Sequence, residues 1–221
     1  MVNDVFDRDQ LQALAGPAGS LEVSVSAAAE AGTLKSAAGI AIVCHPHPLH
    51  GGTMDNKVVT TLMRTYRDLG VAVVRFNFRG VGASEGDYAE GVGERDDLRA
   101  VADSVRRERP QAPLYIAGFS FGAAVVANTC GQLGPLQHIA LVAPPVPRYE
   151  LSQLTELGAP ASVFQGGQDE RVVARDVADW SASLAGEVSY HEFADAGHFF
   201  HGKLSQLKAA LTQAVLEVAD E

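Results

Sequence analysis

The chain has 221 residues and a mass of 23.3 kDa, a length that favours a single domain over residues 1–221 with a sizeable buried core. Hydrophobic residues make up 47% of it and charged residues 20%, which is ordinary globular usage and argues against disorder. Its formal net charge of −10 would repel nucleic acid phosphates and anionic lipids, so we expect neither a nucleic acid nor a membrane as a partner.

The N-terminal stretch MVNDVFDRDQ is acidic and lacks the apolar core of a signal peptide. No apolar stretch reaches the length of about 18 residues that is typical of a transmembrane helix. The two cysteines, Cys44 and Cys130, lie in apolar segments and outside any C-x-x-C pair, so we expect two buried thiols rather than a disulfide. Together these features predict a cytoplasmic protein.

The first predicted element is an antiparallel hairpin. The segments LQALAG and LEVSVSA flank the turn sequence GPAG, and the second of them alternates apolar and polar residues. Five short apolar runs follow, of the near-continuous kind that suits strands buried on both faces: 39–44, 71–76, 113–117, 138–143 and 161–164. The strand-like segment EVSYHEF comes after them.

Amphipathic segments alternate with these strands and place apolar residues at helical spacing. They are 58–69, a more charged segment at 91–108, 173–184 and 204–218. Gly70 and Gly186 stand where left-handed helix stops are expected, and Val173 begins the apolar stripe of the third segment. The alternation of β and α units predicts an α/β fold, with a mostly parallel sheet and helices on both faces.

The strongest chemical signal is the sequence Gly118-Phe119-Ser120-Phe121-Gly122, which lies between the strand PLYIA and the helical stretch AAVVANTC. G-x-S-x-G between a strand and a helix is the pattern of a nucleophile elbow, a sharp turn that exposes the serine hydroxyl. Glycines leave room for the crowded backbone of such a turn, and the helix N-terminus favours a developing oxyanion. The alternative is that Ser120 simply caps the helix.

A serine hydroxyl needs a base to become a nucleophile, and in this arrangement the acid and then the histidine follow the serine along the chain. Asp169 in GGQDERV and His198 in DAGHFF both lie in turns after predicted strands. We therefore predict that Ser120 is the nucleophile, His198 the base and Asp169 the residue that orients the imidazole. Asp195 is the alternative acid, but its place just before His198 suits a turn-forming residue.

The loop after the run GIAIVC contains three histidines, His45, His47 and His50. In a fold of this kind, that loop supplies one N–H of an oxyanion hole and the residue after the nucleophile supplies the other. We therefore predict that the backbone amides of His47 and Phe121 bind the oxyanion. The prolines on either side of His47 lack a backbone N–H, so they cannot donate a hydrogen bond to the oxyanion.

The same loop raises a metal alternative, because H-x-H-x-x-H resembles the H-x-H-x-D-H motif of metallo-β-lactamases. Leu49 stands where that motif has an acidic ligand. The imidazoles of His45, His47 and His50 could still hold one zinc ion with an open position. Otherwise, these histidines make hydrogen bonds within the loop and line the rim of the site.

The segment RFNFRGVGASEGD, residues 75–87, follows the strand VAVV, and its glycines predict a tight loop beside the elbow. Their spacing differs from that of a dinucleotide-binding fingerprint. We expect Arg79 to bind an internal carboxylate that fixes the loop, rather than a substrate carboxylate. Asp55 precedes a predicted helix, so we interpret it as a helix cap and not as a catalyst.

The segments CHPHPLHGGTMDNKVV and RFNFRGVGASEG together resemble a bacterial group of small, lid-less serine hydrolases with the α/β-hydrolase fold, related to dienelactone hydrolases and carboxylesterases. The likeness runs from about Gly16 to His198. It implies a triad of Ser120, Asp169 and His198, and an esterase-type activity on a small-molecule ester through an acyl-enzyme intermediate. Such a mechanism needs no cofactor.

The expected absence of a lid follows from spacing. Only residues 144–160 separate the last two apolar runs, where this fold usually carries its cap, and that length is enough for a turn and a short helix. An open, acidic site suits small soluble acyl esters better than long lipid chains, which need apolar cover. A non-catalytic binding protein on the same fold is the remaining alternative, but it would not need all three of the serine, the acid and the histidine.

Overall fold

The computed structural model describes residues 5–219, so residues 1–4 and 220–221 of the predicted domain lie outside the described part. The strands are β1 Gln10–Gly16, β2 Gly19–Ser26, β3 Ile40–Cys44, β4 Ala72–Phe76, β5 Leu114–Phe119, β6 His138–Val142, β7 Ala161–Gly166 and β8 Val188–Phe193. The helices are α1 Lys57–Asp68, α2 Gly93–Glu108, α3 Phe121–Thr129, α4 Ala174–Ser183 and α5 Leu204–Ala219. None of the helices described here combines the length and the apolar character needed to cross a bilayer.

The eight described strands form one sheet in the order β1-β2-β4-β3-β5-β6-β7-β8. β1 and β2 are the predicted hairpin, with Leu14 opposite Leu21, and β2 joins β4 in antiparallel orientation. From β4 to β8 every neighbouring pair is parallel. The predicted α/β fold, with a mostly parallel sheet and an N-terminal antiparallel hairpin, is confirmed.

Helices cover both faces of the sheet, which is why the apolar runs of β3 to β7 are buried throughout. α2, α3 and α4 pack on one face through residues such as Val101, Val125 and Trp180, and α1 and α5 pack on the other through Leu62 and Leu211. Each fully buried Val or Leu stabilises the fold by about 1.5–3 kcal/mol relative to an exposed one. The two cysteines are buried free thiols in these layers, as predicted.

The start of α1 corrects one interpretation of the sequence. The side chain of Asn56, not that of Asp55, caps the helix by accepting a hydrogen bond from the Val58 amide at 2.9 Å. Asp55 faces β4 instead and binds the guanidinium of Arg75 at 2.9 Å. At the other end of α1, Gly70 has a φ of +91° and provides the predicted stop.

Two details predicted for α4 are wrong. Val173 is 58% exposed, because it precedes the helix as its N-cap residue and does not join the buried stripe. Gly186 is not the helix stop, because the chain already becomes extended at Leu184. The amide of Ala185 then donates a hydrogen bond to the carbonyl of Thr155 at 2.7 Å, outside the helix, so the helical hydrogen bonding does not continue to Gly186.

The chain between β6 and β7 is short. Within the described residues, its one helical element is a 3-10 turn at Leu151–Gln153. The expectation of a fold without a lid is confirmed for the described residues. The loops that follow β3, β5, β7 and β8 therefore meet at the C-terminal edge of the sheet with no additional layer above them. In open α/β sheets this edge is where ligands bind.

Candidate active site

The turn between β5 and α3 holds Ser120 in a conformation that residues other than glycine rarely adopt, with φ +54° and ψ −116°. A hydrogen bond from the Ser120 amide to the Val142 carbonyl, at 2.8 Å, fixes this turn on β6. A Cβ atom on Gly118 would lie 2.3 Å from the carbonyl oxygen of Gly122, and one on Gly122 would lie 2.5 Å from that of Cys44. Both glycines are therefore required by crowding of the backbone, as the motif predicts.

The structure brings the three predicted catalytic side chains together. The Oγ atom of Ser120 lies 3.0 Å from Nε2 of His198, and Nδ1 of His198 lies 2.8 Å from Oδ2 of Asp169. Among the described residues, the Ser120 side chain makes no capping hydrogen bond to α3, so the geometry does not support the simpler role of a helix cap. Because an ionised Asp169 only accepts hydrogen bonds, we assign the ring proton to Nδ1, which leaves Nε2 as an acceptor for the serine hydroxyl.

The environment of Asp169 keeps its carboxylate ionised. Its buried side chain accepts hydrogen bonds from the amides of Arg171 and Val172 at 2.8 and 2.9 Å, and from the side-chain amide of Gln165 at 3.1 Å. Burial alone would raise the pKa of Asp169, but the hydrogen bond and charge of His198, followed by the two backbone amides, lower it overall. A negative charge is thus held next to the imidazole.

His198 is fixed through its backbone as well as its ring. Its amide donates a hydrogen bond to Oε2 of Glu170 at 3.1 Å. Its ring contacts those of Phe119 and Phe199, with centroid distances of 5.2 and 5.1 Å. The only sequence signal for this role of Glu170 is its position directly after Asp169.

Asp195, the alternative acid, is bound at the protein surface and not to the His198 ring. Its exposed carboxylate pairs with Lys203, and this hydrogen bond lowers the pKa of Asp195. Within residues 5–219 it forms no hydrogen bond with His198. The geometry therefore favours Asp169 as the acid that contacts the imidazole.

The two predicted oxyanion donors lie beside the elbow, because β3 and β5 are neighbours with Cys44 opposite Gly118. The amide of Phe121 belongs to the first residue of α3, and the amide of His47 lies in the loop after β3. The centroids of the Phe121 and His47 side-chain rings are 5.2 Å apart. Neither of these amides donates a hydrogen bond to another group of the described chain. Both are therefore available to a ligand oxygen, as the prediction requires.

His45 argues against the metal alternative. Its Nδ1 lies 2.6 Å from the carbonyl oxygen of Pro46, and its Nε2 accepts a hydrogen bond from the Phe78 amide at 3.0 Å. Since both ring nitrogens are bonded within the protein, this imidazole has no free lone pair for a metal ion. Burial lowers the pKa of His45 to about 4, so the ring is neutral at physiological pH. In the part of the chain that is described, no three His, Cys, Asp or Glu side chains are grouped to hold a metal ion.

Arg79 fixes the loop after β4, as predicted, by binding an internal carboxylate. Its guanidinium contacts buried Asp97 of α2 at 2.7 and 3.0 Å, and its amide donates to the same carboxylate at 3.0 Å. The charged helix that supplies Asp97 begins at Gly93 rather than at 91. This ion pair attaches the loop to α2 beside the elbow.

The sheet order, the strained serine between β5 and α3, and a site at the C-terminal edge of the sheet define an α/β hydrolase. A family model described as serine aminopeptidase, S33, matches residues 40–152, a segment that includes Ser120 and ends before Asp169. The chain belongs to this family of serine hydrolases within the α/β-hydrolase superfamily, and the resemblance seen in the sequence is confirmed.

Similar proteins agree with this assignment. The crystal structure of XC6422 from Xanthomonas campestris, an α/β serine hydrolase without lid, is 42% identical, with a TM-score of 0.89 over 95% of this chain and 94% of that one. An α/β serine hydrolase homologue from Coxiella burnetii is 40% identical, with a TM-score of 0.87 over 93% and 97% of the two chains. Uncharacterized protein RP471 of Rickettsia prowazekii (strain Madrid E) is 35% identical over 188 residues, which are 81% of this chain and 79% of that protein.

Proposed function

We propose that the protein is a carboxylic ester hydrolase that cleaves small, soluble acyl esters through Ser120, His198 and Asp169. The observation that carries the proposal is the continuous contact from the Asp169 carboxylate through the His198 ring to the Ser120 hydroxyl, over 2.8 and 3.0 Å. Membership of a serine hydrolase family supports a hydrolytic reaction with this serine as nucleophile.

In the first half-reaction, Oγ of Ser120 attacks the ester carbonyl carbon while Nε2 of His198 accepts its proton. Asp169 stabilises the resulting imidazolium, and the amides of Phe121 and His47 donate hydrogen bonds to the oxyanion. When the tetrahedral intermediate collapses, its bond to the alcohol oxygen breaks. The alcohol leaves with the proton from His198, and the acyl group stays on Ser120.

In the second half-reaction, water attacks the acyl carbonyl carbon while Nε2 of His198 accepts a proton from it. Collapse of this intermediate returns that proton to Oγ of Ser120 and releases the carboxylic acid. A short acyl group suits the site because the chain between β6 and β7 adds only a small turn there. A long acyl chain would stay largely in water and gain little from burial of apolar surface.

A fluorophosphonate probe tests the nucleophile. We expect the probe to label the wild-type protein at Ser120, and the Ser120→Ala variant to lose both labelling and hydrolysis of p-nitrophenyl butyrate. Ser183→Ala is the matched control, because it removes an exposed serine hydroxyl on α4 and should keep both properties. Hydrolysis retained in Ser120→Ala would reject the proposed mechanism.

A substrate series tests the ester class separately from the nucleophile. For p-nitrophenyl esters from acetate to laurate, we expect kcat/KM to be highest with the short acyl groups and to fall with chain length. Aminoacyl p-nitroanilides, which present an amide to the same serine, should be cleaved more slowly. A preference for the anilides would reject ester hydrolysis while leaving Ser120 as nucleophile, and a maximum at laurate would reject the small acyl group.

A further inference from the structure

Two loops meet beside the elbow. The oxyanion loop, residues 45–52, follows β3 and carries the His47 amide, while the supporting loop, residues 77–92, follows β4. Donors in an oxyanion hole are effective only when they are held at hydrogen-bond distance from the developing charge. The contacts that attach the oxyanion loop to its surroundings therefore affect the proposed reaction.

Two histidine side chains attach the oxyanion loop to the supporting loop. Nε2 of His45 accepts a hydrogen bond from the amide of Phe78 at 3.0 Å, in a fully buried contact. Nε2 of His47 lies 3.3 Å from the hydroxyl oxygen of Tyr88. The first contact fixes the start of the oxyanion loop, and the second fixes the residue whose amide we assign to the oxyanion.

The contacts of His47 require one tautomer of its ring. The amide of Leu49 donates a hydrogen bond to Nδ1 at 3.2 Å, so Nδ1 is unprotonated and the proton of the neutral ring is on Nε2. That proton is donated to the hydroxyl oxygen of Tyr88. Burial, followed by the charges of His50 and Arg148, lowers the pKa of His47 and so favours this neutral form.

Tyr88 is itself held in place by α2. The buried carboxylate of Glu94 accepts hydrogen bonds from the amides of Ala89 and Gly91, both at 2.8 Å, and so fixes the chain that follows Tyr88. The Tyr88 ring also packs against Phe121, with a centroid distance of 5.9 Å. The hydroxyl of Tyr88 is thus a fixed acceptor toward which the oxyanion loop is oriented.

We propose that Tyr88 is a positioning residue for the oxyanion hole: its hydroxyl fixes the His47 ring, and thereby keeps the His47 amide directed at the oxyanion. Tyr88 acts through His47 and not on the reacting atoms. The inference rests on the proposed ester hydrolysis, because that reaction generates the oxyanion.

The Tyr88→Phe variant removes only the hydroxyl and keeps the ring contacts with His47 and Phe121. We expect kcat for p-nitrophenyl butyrate to fall about 10-fold while KM stays within about twofold, because contacts to the oxyanion strengthen only in the transition state. The loss should be smaller than the roughly 10²–10³ that follows complete removal of an oxyanion donor. Tyr190→Phe is the matched control, since it removes a tyrosine hydroxyl from β8 and should retain wild-type kcat.

A thionoester separates a positioning role from a general loss of structure. Its sulfur is a weak hydrogen-bond acceptor, so the wild-type enzyme should prefer the matching oxygen ester. In Tyr88→Phe this preference should fall by the same factor of about 10, because only the oxygen ester loses a well-placed donor. Damage to the fold would slow both substrates equally, and an unchanged ratio would therefore overturn the role of Tyr88.

Failure of the proposed function gives a different result. If the wild-type protein hydrolyses neither ester and Ser120 is not labelled by the phosphonate, ester hydrolysis is rejected and the role of Tyr88 falls with it. If the wild-type protein is active and Tyr88→Phe has the same kcat and the same preference for the oxygen ester, only the role of Tyr88 is overturned.

Discussion

Three carboxylates lie close to His198 in the chain or in space, and their contacts differ. Asp169 binds the Nδ1 edge of the ring, Glu170 accepts from the backbone amide of His198, and Asp195 pairs with Lys203 at the surface. A carboxylate sets the tautomer of an imidazole only by contact with the ring. At the scale of single residues, Asp169 is therefore the acid whose loss should affect proton transfer.

The Asp169→Asn variant should lose about 10³–10⁴ in kcat, by comparison with other triads, because the new amide group can donate to Nδ1 and favours the wrong tautomer of His198. Asp195→Asn is the matched control, since it makes the same chemical change at an exposed carboxylate. Its kcat should stay within about twofold of wild type. Steady-state kinetics on both purified variants test this assignment. Equal losses would contradict a specific role of Asp169, and a loss in Asp195→Asn alone would show that Asp195 is the acting acid.

The predictability of the site also differs from residue to residue. The sequence predicts that Ser120, Asp169 and His198 meet, because each lies in a recognisable turn after a strand, and the ends of parallel strands share one edge of the sheet. Tyr88 and Glu170 have no such local pattern. Their roles depend on which backbone amide or ring faces them, and this is decided by loop conformations that no short sequence pattern specifies.

At the scale of elements, the distance between α3 and β3 determines where the Phe121 amide lies. Gly122 is the point of closest approach, since a Cβ atom there would lie 2.5 Å from the carbonyl oxygen of Cys44 and 2.6 Å from that of His45. Both neighbours are backbone carbonyls, one at the end of β3 and one at the start of the oxyanion loop, and they cannot move without displacing the end of β3. A side chain at this position would push α3 away from the oxyanion loop.

The Gly122→Ala variant should therefore lose stability as well as activity. We expect a loss of about 2 kcal/mol or more in the free energy of unfolding, toward the upper part of the range for overpacking, because the clash is with backbone. Gly131→Ala is the matched control: it lies just beyond α3, and no heavy atom lies within 4 Å of its added Cβ. Urea denaturation should place this control within about 1 kcal/mol of wild type. Equal stability of the two variants would contradict the close approach at Gly122.

Elements are well predicted where burial decides them and less well at their ends. The strands β3 to β7 follow from their apolar runs because both faces of the sheet are covered. The error at Asp55 arose because Asp55 and its neighbour Asn56 are both good caps, and only the path of the backbone selects one. The error at Val173 also lies at the start of a helix. An apolar residue one position before a helix continues the helical spacing in the sequence, but its side chain does not lie on the buried face.

At the scale of the whole molecule, burial of neutral histidines couples stability to pH. His45 lies beneath the active site, and His138 lies at the start of β6 with its Nε2 2.9 Å from Oγ of Ser162. Burial lowers the pKa of each from an ordinary value of 6.5 to about 4, with the charge of His191 adding to the effect at His138. Between these two pH values the unfolded chain binds more protons than the native protein, so acidification favours unfolding.

Stability should accordingly be highest above about pH 6.5 and fall as the pH is lowered toward 4. Each of the two histidines contributes at most about 1.4 kcal/mol per pH unit to this slope, the value for one proton. In His138→Gln the free energy of unfolding, measured by urea denaturation, should therefore depend less steeply on pH between 6.5 and 4.5. We expect the slope to be smaller by about 1.4 kcal/mol per pH unit, the value for one proton. His201→Gln, which removes an exposed histidine, should keep the wild-type slope. Packing losses shift the free energy of unfolding by the same amount at every pH. The slope changes only when the substituted side chain binds protons differently in the native and the unfolded chain. Equal slopes in both variants would therefore show that His138 is not buried in its neutral form.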